Sequence, residues 1–286
     1  MPSLRNHPAV TQLLVKLLLA PSFVIGASLA ARRFGPRVGG LLAGLPVVAG
    51  PILLAYALAH GPRFAASAAA GTLLGLVSLI AFSVVYGRLA GSLSWFPCML
   101  GGWLTFAAFT ALFSALSIPD GVALVLAALA VAAGLALLPR PRPAEPFTEP
   151  LPGWDLPLRA VCALALVLTL TAIAGWLGPQ LSGLLAPFPI IATVLTTFTH
   201  GQRGVDEMLR LVRGMVSGFV AFALFFFTLA VGLRALGTAA GFAIATFVAL
   251  LVQLAAFVLT HPGGEAHVAA QAPPSTRWRT RSRTSA

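Results

Sequence analysis

Apolar runs of about twenty residues, punctuated by Gly, Pro and Arg, recur along almost the whole chain. A run of that length crosses a hydrocarbon layer of roughly 30 Å as a helix. The pattern predicts nine transmembrane helices, at 12–31, 38–59, 64–87, 92–115, 119–138, 157–176, 181–200, 207–232 and 237–260. Gly35-Pro36, Gly61-Pro62, Pro119-Asp120 and Gly178-Pro179 mark boundaries between them. From Pro139 to Pro157 the prolines at 141, 143, 146, 150 and 152 exclude continuous helix and predict the longest internal loop. Residues 261–286 turn polar and read as a disordered tail ending in Arg277, Arg279, Arg281 and Arg283. The N-terminal run is read as a span and not as a cleaved signal, because Lys16 interrupts it and the run recurs later. The expected fold is therefore an all-α polytopic membrane protein.

Composition supports that class. Only 9% of the 286 residues are charged, 58% are hydrophobic and mean hydropathy is +0.94. A soluble domain carries about 25% charged residues, so a soluble globular fold is excluded. The net charge of +11 raises the question of a nucleic-acid binder, which the placement of the arginines answers. With nine spans, Arg32, Arg33, Arg37, Arg88, Arg140, Arg142, Arg203, Arg210, Arg213 and the four tail arginines share one side. The other side receives only Arg5, Arg63 and Arg234. That bias predicts a bacterial inner-membrane protein with its N-terminus outside, its C-terminus in the cytoplasm and no nucleic-acid partner.

The second half of the chain repeats the first. Phe34–Ala49 aligns without gaps to Leu177–Ala192, and eight of sixteen positions are identical, among them Gly35/Gly178, Pro36/Pro179, Gly40/Gly183 and Pro46/Pro189. The same offset of 143 pairs Lys16 with Arg159, Gly61 with Gly204, Gly71 with Gly214, Gly75 with Gly218 and Phe82 with Phe225. The organisation expected is repeat one over 1–118, a connector helix over 119–138, a cytoplasmic loop over 139–156, repeat two over 157–260 and the tail over 261–286. One connector span forces the second unit into the membrane upside down. The arginines agree, since Arg32 and Arg33 become Gly175 and Trp176, while His60 becomes Arg203. Inverted repeats of this kind are typical of secondary transporters, with the substrate site at the repeat interface.

Val15-Lys16 followed by Pro46, and Arg159 followed by Pro187 and Pro189, precede a short turn, Arg203-Gly204-Val205-Asp206-Glu207 in the second unit. On these elements each half resembles GlpM, a family of small four-span bacterial inner-membrane proteins, over most of 12–87 and 155–260. Unit one departs from the pattern in having Gly61-Pro62-Arg63 at the turn. The resemblance implies a tandem fusion of two four-span units and a link to polysaccharide or envelope metabolism.

Three groups of residues carry candidate chemistry. Pro46 and Pro189 break the second helix of each unit, with Gly40, Gly44, Gly183 and Pro187 beside them. The carbonyls they free must be satisfied by protein, water or substrate. Thr193, Thr196, Thr197 and Thr199 would add hydroxyls there. Lys16 and Arg159 are cations near the start of each unit's first helix, and either bind an anionic or lipid-linked substrate or snorkel to the interface. Gly71, Gly75, Gly214 and Gly218 form small-xxx-small faces for close packing, and their two helices are expected to cross one another or to meet the broken helices. Asp206, Glu207 and Arg210 have the spacing of helix-surface ion pairs, and Asp120 reads as an N-cap or turn residue. His60 and His200 are expected to face the interface. No metal pattern, cofactor fingerprint or nucleophile–base pair is present, so catalysis, a metal and a cofactor are not expected. The reading is a transporter or flippase-like permease whose partners are the bilayer and a small-molecule or lipid passenger. The alternative is a non-transporting scaffold or accessory subunit of envelope or polysaccharide synthesis.

Overall fold

The computed structural model describes residues 8–116, 118–143, 152–169 and 188–260, with side chains from 18 to 258. Every regular element among them is helical. These are α1 (Pro8–Phe34), α2 (Pro36–Ala43), α3 (Ala49–His60), α4 (Pro62–Leu89), α5 (Trp95–Ser114), α6 (Asp120–Leu137), α7 (155–169) and α8 (Ile190–Thr260). Among the described residues four helices, namely α4, α5, α6 and α8, are long and apolar enough to cross a membrane. Large apolar side chains stay on the outside, such as Leu104 at 72%, Leu129 at 61% and Phe247 at 63% exposure. Water disfavours such a surface and lipid accepts it, so the chain is a membrane-embedded helical protein.

Two of these elements are interrupted where the sequence places Pro46 and boundary glycines. The run 38–59 is two helices, α2 and α3, separated by a non-helical stretch around Pro46. The runs 181–200, 207–232 and 237–260, where described, belong to the 71-residue α8. Gly204 (φ 80°, ψ −177°) and Gly237 (φ 79°, ψ −179°) divide α8 into rods over 190–203, 205–236 and 238–260. Positive φ with ψ near 180° is open only to glycine, so each residue redirects the chain without a loop. Gly35 (φ 93°, ψ 159°) and Gly61 (φ 87°, ψ 166°) do the same before Pro36 and Pro62, prolines whose fixed φ suits the first helical position.

Glycine also sets the closest packing. A Cβ on Gly40 would run into the carbonyl of Leu211, and one on Gly214 into the carbonyl of Arg37. A Cβ on Gly44 would lie 2.7 Å from Gly218, and one on Gly218 2.5 Å from the Leu41 carbonyl. Hence α2 lies backbone to backbone against the middle rod of α8. The α4 helix runs antiparallel to that rod: Gly87 neighbours Leu209, while Ile80 and Val216 flank Gly134 of α6.

The ends of α6 collect opposite arginines. At its C-terminus Arg88 donates to the Leu137 carbonyl at 3.0 Å, and Arg213 to the carbonyls of Leu135 and Leu138, each at 3.0 Å. Cations at a helix C-terminus satisfy orphan carbonyls and oppose the negative end of the dipole. At its N-terminus Asp120 pairs with Arg234 at 2.7 Å. Asp120 is thus an ion-pair partner and not a cap, since Pro119 holds the cap position without a side-chain bond.

Candidate functional site

Four element ends converge on one polar pocket: the C-terminus of α1, the N-termini of α2 and α7, and the first kink of α8. The pocket encloses about 170 Å³, and its lining includes Ser28, Arg32, Pro36, Asp155, Arg159, Thr199, Arg203 and Glu207. Asp155, expected in the loop, is instead the first residue of α7 and is fully buried. Its carboxylate accepts Arg159 Nε at 2.8 Å one turn along α7 and Arg32 Nη2 at 2.7 Å from the last turn of α1. Gln202 accepts from Arg159 at 3.1 Å and adds a hydrogen bond to Asp155. The Arg159 guanidinium also lies 5.1 Å over the Phe198 ring, within cation–π range.

The electrostatics follow from that shell. Burial pushes the Asp155 carboxyl up, but hydrogen bonds from Arg32, Arg159 and Gln202 outweigh it and hold the group below the usual carboxylate range. Arg159 is 4% exposed, its head held inside the protein by Asp155, Gln202 and Phe198. The Lys16 backbone lies in α1, and its side chain is outside the described residues.

The second feature is the Pro46 break. Leu45, Pro46, Gly50, Phe225, Phe242 and Thr246 are among the residues lining an apolar cleft of about 650 Å³ between the α2–α3 junction and α8. The freed carbonyls find partners within the protein: Leu41 O accepts Gln253 Nε2 at 2.6 Å, and Leu42 O accepts Leu45 N at 2.9 Å. Gln253 comes from the last rod of α8, is 7% exposed and leaves its Oε1 without a partner among the described residues. Pro46 O accepts Gly50 N at 2.8 Å, and Pro189 O accepts Thr193 N at the same 2.8 Å. The two restarts are 143 residues apart.

The other residues marked in the sequence fall as follows. Thr193 accepts Trp103 Nε1 at 2.9 Å, while Thr196 and Thr197 bond back to the carbonyls of Ala192 and Thr193, each at 2.7 Å. Their hydroxyls are therefore satisfied by protein, and of the four threonines Thr199 reaches the polar pocket. Gly183 and Pro187 lie outside the described residues. Gly214 and Gly218 pack as described above, whereas Gly71 is exposed and a Cβ there would meet no atom within 4 Å. Its expected packing partner is not found among the described residues. Gly75 is partly buried in α4. Arg210 pairs with Glu207 at 2.6 Å as the spacing predicts, but Asp206 instead accepts the Arg142 backbone N–H at 2.8 Å. His200 lies 3.3 Å from the buried Tyr86 hydroxyl, directed inward.

Compared with known proteins, the chain matches no family model, no curated protein and no solved structure.

Proposed function

We propose that this chain is a multi-pass membrane transporter or flippase-like permease with two inverted four-helix repeats joined by α6. On this reading each half is a GlpM-like unit in the bacterial inner membrane, with the N-terminus outside and the C-terminus cytoplasmic. The observation that carries the proposal is α2, an eight-residue half-helix with the polar pocket at its Pro36 end and the apolar cleft at its Pro46 break. Discontinuous helices whose ends face a binding site are the recurrent device of inverted-repeat transporters.

The pairing of the halves rests on backbone geometry as well as on sequence. Gly61 and Gly204 share a positive φ with extended ψ, and the helices after Pro46 and Pro189 restart with the same hydrogen bond. Inversion is supported by α4 and the middle rod of α8, which follow these glycines and run antiparallel. The pocket's arginines and the cleft's apolar walls favour an anionic or lipid-linked passenger.

Single cysteines at Arg63 and Arg203 test the inversion. An impermeant maleimide is expected to reach them from opposite faces of the membrane. Labelling from the same face would refute it.

A further inference from the structure

We propose that the pocket between Arg32, Asp155 and Arg159 binds a phosphate-class oxyanion, either a free phosphate or the headgroup of an anionic lipid. The inference rests on the transport reading for its purpose and deepens it by naming the substrate class.

Charge is the first argument. The buried Asp155 carboxylate is shared by two guanidinium groups, so this cluster carries one positive charge more than it neutralises. Of the other charged residues in the lining, Glu207 pairs with Arg210. Arg159 is matched by Asp155 in the interior, so the excess charge sits on Arg32, whose side chain is 30% exposed and open to an anion.

Ser28 supplies an independent argument. It lines the same pocket, is 4% exposed, and its hydroxyl has no hydrogen-bond partner among the described residues. A buried donor left unmade costs about 1–3 kcal/mol, so such a group needs a reason to be there. An oxyanion oxygen would complete it. The N-terminus of α2 opens at Pro36 on the same pocket, adding the positive end of a helix dipole.

Donor number selects the class. Guanidinium forks and a hydroxyl converging from α1 and α7 suit an anion with three or more acceptor oxygens better than a carboxylate with two. At about 170 Å³ the pocket holds such a group but falls below the roughly 300–1,000 Å³ of a site for a whole drug-sized molecule. Any larger remainder of the passenger would lie outside it.

The test uses the full chain purified in detergent. Inorganic phosphate, short-chain phosphatidylglycerol and, as a zwitterionic control, short-chain phosphatidylcholine are titrated separately, reading tryptophan fluorescence and Tm. Wild type is expected to bind at least one of the two anions and to ignore the control. Arg32→Gln and Ser28→Ala should each weaken binding by about tenfold or more, the scale of a lost hydrogen bond to a charged group. Arg32→Lys should stay within a few-fold. Ser28→Ala removes no hydrogen bond among the described residues, and Arg32→Gln leaves Asp155 its bond to Arg159, so both should remain folded. Binding of phosphate alone assigns a free anion, and tighter binding of the lipid assigns a headgroup. Failure of wild type to bind either anion, or wild-type affinity in both variants, overturns the proposal. Because binding is read without transport, either result leaves the inverted-repeat reading to its own labelling test.

Discussion

Gly61 and Gly204, 143 residues apart in the chain, turn it through nearly the same backbone geometry, φ 87° and ψ 166° against φ 80° and ψ −177°. Each precedes a long apolar helical rod. A Cβ at either position would meet no atom within 4 Å, so the conformation itself, and not crowding, requires glycine.

Gly61→Ala and Gly204→Ala should therefore each lower stability by about 1–3 kcal/mol through backbone strain alone. Thermal unfolding in detergent checks this. The two losses should be similar, and no loss at either site would show that the chain bends there without strain.

The glycine seam between α2 and α8 behaves differently, because there the obstacle is a neighbouring backbone. Gly40→Ala and Gly214→Ala push a methyl into the carbonyls of Leu211 and Arg37 and should cost more than about 3 kcal/mol or prevent folding. Gly71→Ala, in open space on a helix, should be neutral or gain up to about 1 kcal/mol. Expression level and Tm of the three variants distinguish the cases.

The buried cluster predicts a coupling energy. Asp155→Asn should cost roughly 3–5 kcal/mol, because it strands the buried Arg159, and Arg159→Gln should cost less, because Asp155 keeps its bond to Arg32. The double variant should lose less than the two single losses added together. A double-mutant cycle on Tm measures this, and additive losses would deny the pair.

The same carboxylate sets a pH dependence. Its pKa is lowered on folding, so its stabilising contribution is complete above the pKa of the unfolded chain and is lost as pH falls through the folded value. The stability gap between wild type and Asp155→Asn should hold from neutral pH down into the usual carboxylate range, then close below it. A gap that closes near pH 6 would place the titration on another group.

Gln253 makes the tie that holds the end of α2 before the Pro46 break. Gln253→Leu removes the bond to the Leu41 carbonyl and should cost about 1–2 kcal/mol. If α2 needs this tie to keep its place, proteolysis at 44–48 should quicken; unchanged cleavage would make the bond incidental.

What the sequence reveals of this protein depends on how local each signal is. Gly-Pro pairs at 35–36 and 61–62 and the prolines at 46 and 189 impose φ values or delete donors where they stand, so helix ends could be read from them directly. The pairing of α2 with α8 was legible as one of two alternatives, the Gly214 and Gly218 face meeting a broken helix; the other, a crossing with the face at Gly71 and Gly75, is not what Gly71 shows. Asp155 was missed because the prolines before it suggest loop. Its spacing of four to Arg159 was the available signal. Arg32 counted only as a topology charge, since its partner lies 123 residues away. Ser28 and Gln253 are single polar residues in apolar runs, and composition alone gives no reason to mark them. Both acquire meaning only once tertiary packing leaves a hydroxyl and an amide oxygen without partners among the described residues.

The central claim is that a substrate path runs past the broken helices. Its most direct test is labelling of single cysteines along 44–50 and 188–193 in a background with Cys98 and Cys162 replaced, using an impermeant maleimide on membranes of each orientation. The account predicts positions in both segments that react from either face. Inertness of both segments from both faces would contradict it and leave a closed bundle with structural kinks.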